Sequence, residues 1–248
     1  MKLIVNADDF GYSKGVNLGI VEAHREGIVT SATLMVNMDG FEHAVGLAKK
    51  HPTLGVGIHL VLTCGSPVSQ DVPTLTDGEG RFRRGQDHLV AAVPEEIERE
   101  LRAQLGAFMA SGLMLTHIDS HHHVHAHPAV LPIVLKLAEE HRVPVRYPWM
   151  SESREQRDQS SVPTTEGFSH HFYGDDLTVQ SFVRIVEEMS DYSVVEIMTH
   201  PAYLDEAILT GSSYTKQRTT ELKILTAAEL KQYIRDQKIQ LVTFSELG

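Results

Sequence analysis

The chain has 248 residues, 42% of them hydrophobic, and 22 Lys and Arg stand against 33 Asp and Glu for a formal net charge of −11. A chain of this length can bury a sizeable core, but it has no dense basic run to neutralise phosphates, so nucleic acid is not an expected partner. Cys64 is the single cysteine, which excludes an intrachain disulfide, and no signal-peptide pattern or 18-residue apolar run occurs; a cytoplasmic protein without membrane attachment is expected.

The predicted elements alternate. A first strand covers 2–7 and runs into "NADDFG"; Ser13 then caps a helix that closes on Gly27. A strand over 31–37, a helix over 41–51 and an apolar strand over 54–62 containing His59 follow. Residues 64–93 are rich in Gly, Pro and Asp without a helical period, which marks either a substrate-side loop or a surface insertion. A helix opening on Pro94 reaches residue 112, and a strand over 113–119 enters "HIDSHHHVHAHP" at 117–128. A helix over 128–141, a strand over 143–148, a polar stretch over 151–167 and a weaker strand within 168–173 come next. A helix over 178–190, a strand over 193–200, a helix over 226–237 and a strand over 239–244 complete the pattern. Near-continuous apolar strands between amphipathic helices predict an α/β fold. A single domain over 1–248 is expected, a closed or nearly closed barrel of seven or eight mainly parallel strands.

In such a barrel the C-terminal strand ends meet at one mouth. Here those ends carry Asp8 and Asp9, His59, the histidine tract, Arg146 and His200. Adjacent acids on a strand point to opposite faces unless the strand has begun to turn, so Asp8 and Asp9 reach the mouth together only in a turn; helix capping is their plainer role. Within the tract, His121 and His125 share a face if the backbone is helical, whereas Asp119 shares one with His121 or His123 if it is extended. Asp9, His59 and a histidine of the tract form a one-carboxylate, two-imidazole set suited to Zn²⁺ or another first-row ion that activates water. Cys64 has no base assigned beside it, and no Gly-x-Ser-x-Gly, P-loop or Gly-x-Gly-x-x-Gly pattern occurs.

"NADDFG", "GIHLVLT", "THIDSHHHVH" and "EIMTHPAY", in that order, closely resemble the YdjC-like carbohydrate deacetylases across almost the full length. That resemblance implies a deformed (β/α) barrel related to the polysaccharide deacetylases and a small acetylated sugar, such as a chitooligosaccharide, as substrate. It implies one divalent ion, Zn²⁺ or Mg²⁺, held by Asp9, His59 and a histidine of the tract. His121 is the first choice, with His122 and His125 as alternatives for ligation or support. It further implies that Asp8 is the base acting on the metal-activated water, that Arg146 of "RYP" pairs with Asp8, and that His200 protonates the leaving amine. Tyr12, Trp149 and Tyr203, next to the mouth residues, offer flat rings for a pyranose. Two other functions fit the pattern: a metal-free glycoside hydrolase pairing Asp8 or Asp9 with Asp119, and a non-catalytic metal-binding module built on the histidine tract. A homodimer is expected, because twofold dimers are the commonest assemblies.

Overall fold

Seven parallel strands carry the candidate site in the computed structural model, which describes residues 1–146 and 161–247. In chain order they are β1 (Lys2–Phe10), β2 (Ser31–Leu34), β3 (Gly55–Leu60), β4 (Ile118–Ser120), β5 (Gly167–Ser169), β6 (Val194–Thr199) and β7 (Gln240–Leu241). The helices are α1 (Lys14–Arg25), α2 (Phe41–Lys50), α3 (Pro94–Ala110), α4 (Leu131–His141), α5 (Val179–Glu188), α6 (Glu206–Gly211), α7 (Lys216–Leu225) and α8 (Ala228–Asp236).

The strand order is β4-β3-β2-β1-β6-β5, with every pair parallel. β7 pairs with Lys2 and Leu3 at the start of β1, on the side that β2 takes from Asn6 onward. Among the described residues, single backbone bonds join the segment after α4 to β4 and to the stretch before β5, and that stretch to β6. Arg146 N donates to Ile118 O of β4 at 2.9 Å, Val145 N to Pro163 O at 3.0 Å, and Glu166 N to Val194 O of β6 at 3.0 Å. The result is a deformed β/α barrel, regular around β1 and, among the described residues, held by isolated links between β4 and β5. Every residue of β1 after Lys2 is buried, as a strand covered on both faces requires.

The first strand runs further than the predicted 2–7, to Phe10, whereas the later predicted strands are longer than the observed ones. The 113–119 strand shrinks to the three residues of β4, and in the described part of the predicted 143–148 strand, residues 143–146, Val145 bridges to Ile118. Residues 64–93 form an irregular excursion with a Thr76–Phe82 bridge and a 3-10 turn over Asp87–Val90. Carboxylates on α3 pin it: Glu96 accepts from Thr74 N at 2.8 Å, and Glu100 accepts from Val68 N and Ser69 N at 2.9 and 2.8 Å. Two helices, α6 and α7, were not predicted. α7 buries Arg218 and Glu221 alongside Leu222 and Leu225, and charged residues on the buried face erase the apolar period that announces a helix. Trp149 and most of the polar stretch beyond it lie outside the described residues. Among the described residues no helix is long and apolar enough to cross a membrane.

Candidate metal centre and active-site cavity

The adjacent acids reach one place because β1 turns between them. Asp9 has φ +68°, a left-handed conformation that costs a non-glycine residue roughly 1–2 kcal/mol. The register against β2 shifts over the same step, between Ala7 and Phe10. Both carboxylates are buried and line a cavity of about 1070 Å³ at the C-terminal ends of the strands. The histidine tract is neither strand nor α-helix. After Ser120 it winds into a 3-10 turn over His121–Ala126, with His122 and His123 both left-handed at φ +54° and +55°. Consecutive left-handed residues that are not glycine are the kind of local strain that clusters at functional sites.

That winding separates the candidate histidines. His121 Nδ1 lies 3.1 Å from Asp9 Oδ1. His122 also lines the cavity, but its Nδ1 is engaged by Thr63 Oγ1 at 2.9 Å. His125 is fully buried away from the lining, with its Nδ1 2.6 Å from Ser120 Oγ. His59, on β3, comes within 3.5 Å of Asp9 Oδ1 through Nε2, and its Nδ1 lies 2.7 Å from Asp119 Oδ1. An Nδ1–H donated to Asp119 leaves Nε2 with a free lone pair, the usual arrangement behind a metal-ligating imidazole. Thr33 Oγ1 donates to the other oxygen of Asp119 at 3.0 Å, which holds that carboxylate in turn.

Among the described residues, two sets of three bring ligand atoms within 4.8 Å of one another: Asp9, His59 and His121, and Asp8, His59 and Asp119. The second set is already neutralised. Arg146 is fully buried and bonds Asp8 bidentately at 2.7 and 2.6 Å, and its Nη2 lies 2.8 Å from Asp119 Oδ2. Its Nε donates to Glu196 at 2.8 Å. The first set offers one carboxylate and two imidazoles beside open cavity, and this donor chemistry fits a divalent first-row ion.

The electrostatics agree with that assignment. Burial alone would lower His59, yet the Asp119 charge and hydrogen bond, with Asp8 and Asp9 behind them, push it up to about 10. His121 is likewise raised to about 9, against its burial, chiefly by Asp9. These imidazoles hold protons to balance nearby carboxylates, and a metal cation would replace those protons. Burial opposes ionisation of Asp8, but Arg146 overcomes it and holds the carboxyl well below its ordinary value. Asp9 is held down in the same way by Arg218 and the two histidines.

The opposite wall comes from the C-terminal half. His200 follows β6, lines the cavity, and is pushed down to about 4 by burial and then by Arg218. Tyr12 lines the cavity too, whereas Tyr203 lies outside it, with its hydroxyl donating to Glu22 of α1. Three residues that tie the cavity wall together escaped the sequence reading. Arg218 Nη2 donates to Asp9 Oδ2 at 2.7 Å, so that Asp9 turns only Oδ1 toward the two histidines. Glu221, one turn further along α7, accepts from the backbone N–H of His200 and from Tyr214 Oη at 2.6 Å. Glu196 backs Arg146. Arg218 and Glu221 stand three apart on one helix face, and only the helix itself, which the sequence pattern hides, reveals that spacing.

Comparison with known proteins gives a consistent set of relatives. The model of the YdjC-like protein family matches residues 2–236. A carbohydrate deacetylase of Brevibacillus brevis is 89% identical over 248 residues, covering 100% of both chains. One of Geobacillus stearothermophilus is 51% identical over 243 residues, covering 98% of this chain and 96% of its own. Among solved structures, a candidate cellobiose-phosphate cleavage protein of Enterococcus faecalis superposes with a TM-score of 0.93 at 35% identity, covering 100% of this chain and 98% of that one.

Proposed function

The chain belongs to the YdjC-like protein family, and from that membership and the cavity's geometry we propose that it is a metal-dependent hydrolase that removes N-acetyl groups from small amino sugars such as chitooligosaccharides. One observation carries the reading. The Asp9, His59 and His121 donor atoms converge beside a second carboxylate, Asp8, that a buried arginine keeps ionised. Asp9, His59 and His121 would hold the divalent ion. Bound there, such an ion supplies Lewis acidity, lowering the pKa of water from about 15.7 toward 7 and polarising an acetyl carbonyl.

The chain's own residues supply the proton transfers. Asp8 accepts a proton from the attacking water as the carbon–oxygen bond forms. Arg146 is shared among Asp8, Asp119 and Glu196, and it keeps Asp8 charged and pointed into the cavity. His200 gives a proton to the nitrogen as the carbon–nitrogen bond breaks, leaving acetate and a free amine. Burial and then Arg218 hold its pKa down at about 4, so the resting imidazole is neutral; it must take up a proton within the cavity before passing it to the nitrogen, a step that the Asp8 and Asp9 charges assist. Arg218 fixes the outer oxygen of Asp9, and Asp119 fixes the ring of His59. A metal-free glycosidase is less well supported, because Asp8 and Asp119 both lie within 2.8 Å of Arg146 Nη2 and neither is poised to protonate a glycosidic oxygen.

The test is acetate release from N,N′-diacetylchitobiose by metal-stripped and metal-restored protein, with Asp8→Asn alongside. Release should require metal, and it should fall by roughly 10²–10⁴ in Asp8→Asn, the contribution of one acid–base group, while the variant still binds the ion. Cleavage of the sugar without acetate, indifferent to stripping, would overturn the reading.

A further inference from the structure

Tyr173 stands out on the C-terminal wall of the cavity. It is 51% exposed, yet it is not loose. Its ring lies flat on Tyr214, with centroids 4.0 Å apart and planes 12° from parallel. Tyr214 is itself buried and fixed from three directions. Its hydroxyl donates to Glu221 at 2.6 Å and accepts from Gly174 N at 3.2 Å, and its carbonyl accepts from Arg218 Nε at 2.9 Å. Gly174 makes the approach possible, since its φ of +115° is open to glycine and strained for any other residue. One face of Tyr173 is therefore covered by a locked ring, and the other is left to the cavity.

We propose that Tyr173, backed by Tyr214, is the stacking platform for a sugar ring of the substrate and so a specificity-determining residue of this site; the inference rests on the deacetylase reading above. A pyranose has one face of C–H groups that needs a flat apolar partner and no charge. A tyrosine already immobilised by a second ring supplies that area with little further loss of conformational freedom. The placement suits the chemistry. The His200 ring meets Tyr173 edge-on at 5.6 Å, so a sugar resting on the platform has its substituents beside the group assigned to protonate the leaving nitrogen. The same helix, α7, locks Tyr214 through Glu221 and Asp9 through Arg218, which keeps platform and ion site in one fixed relation.

The experiment measures diacetylchitobiose binding by calorimetry in the metal-loaded Asp8→Asn protein, with and without Tyr173→Ala, Tyr173→Phe or Tyr173→Trp. Steady-state acetate release is followed in parallel with Asp8 intact. Tyr173→Ala should weaken binding about 3- to 10-fold, the range of one aromatic contact, and its catalytic loss should fall in KM rather than kcat. Tyr173→Phe and Tyr173→Trp should restore the affinity, because the ring face does the binding. Unchanged affinity in Tyr173→Ala overturns the platform, as does a Tyr173→Phe defect as large as that of Tyr173→Ala, or sugar that fails to bind at all. Affinity that depends on Tyr173 without acetate release from the otherwise wild-type protein would leave the platform standing and remove the deacetylase reading. Acetate release with affinity indifferent to Tyr173 would do the reverse.

Discussion

The two walls of the cavity are built on different principles. On the wall formed by β1, β3 and β4, the side chains of Asp8, Asp9, His59 and Asp119 are all buried, and each charge has a partner within 2.6–3.1 Å. On the wall formed by the loops after β5 and β6, Tyr173 is half exposed and His200 meets it through a ring edge. The first wall is a buried cluster of paired charges, in which misplaced charge is costly and every group is tied by another. The second is a contact surface, where a ring face matters more than a single bond. Arg218 and Glu221 on α7 join the two.

That contrast predicts unequal responses to substitution. The largest effect should come from Asp9→Ala, which removes a candidate ligand and leaves the Arg218 guanidinium buried without its carboxylate. Breaking a buried pair from one side typically costs about 3–5 kcal/mol. Metal analysis and denaturant unfolding should show loss of stoichiometric metal together with a large loss of stability, whereas Tyr173→Ala should leave both nearly intact. Wild-type-like metal content in Asp9→Ala would place the ion elsewhere. Asp119→Asn comes next. It keeps the shape but weakens the hold on His59 Nδ1, and second-layer partners of metal-ligating histidines are worth roughly 10–100-fold in affinity or activity. Competition with a chelator dye should show a loss of that size for zinc, and an unchanged constant would make Asp119 a partner of Arg146 alone.

The histidines divide along the same line, which gives a pH signature. Burial drives His122, His123 and His200 down to about 4, 3 and 4, and takes His117 and His125 well below their ordinary value. The unfolded chain binds protons at these positions below about pH 6.5 and the folded one does not, so stability falls as pH drops from 6.5 toward 4. His59 and His121 are raised to about 10 and 9 without metal, and their stabilisation is complete below 6.5 and lost as pH rises through those values. Glu196 and Glu221, raised by burial to about 7 and 8, act in the same direction as pH rises. The metal-free protein should therefore melt highest near pH 6.5 and lower on either side. Saturating zinc should remove most of the alkaline fall, because it takes the place of the two histidine protons. A metal-free melting temperature that stays flat from pH 6.5 to 9.5 would contradict the protonated histidine pair.

The strand-end residues were legible because a barrel converts sequence position into place. "NADD", "GIHL", "HIDSHHH" and "MTH" each sit where a parallel strand must deliver its last side chains to one mouth. The choice among the tract histidines was not legible, because it depends on two left-handed residues, His122 and His123, in a turn that neither helical nor strand periodicity describes. Arg218 and Glu221 were hidden for the opposite reason. They lie in a regular helix whose buried face is charged, and hydrophobic periodicity detects only apolar burial. β4 was overestimated because 113–119 is apolar enough to pair along its length, yet among the described residues the sheet there is held by isolated bonds, such as the Ile118–Val145 bridge.

Tyr203 supplies the smallest expected effect and the sharpest contrast with Tyr173. Its place in "THPAY", three residues after His200, made it a candidate for the sugar site, but sequence proximity is a poor guide once a strand has ended and the chain turns outward. Tyr203 is 43% exposed, nearly as much as Tyr173, so exposure does not separate the two. What separates them is direction and backing. Tyr203 spends its hydroxyl on Glu22 at the surface of α1, while Tyr173 rests on a locked ring at the cavity wall. Tyr203→Ala should therefore change kcat/KM for diacetylchitobiose by less than about twofold, as for a surface substitution away from the chemistry. A loss comparable to that of Tyr173→Ala would mean that the sugar reaches beyond the cavity to α1, and the line between contact surface and outer face would have to be redrawn there.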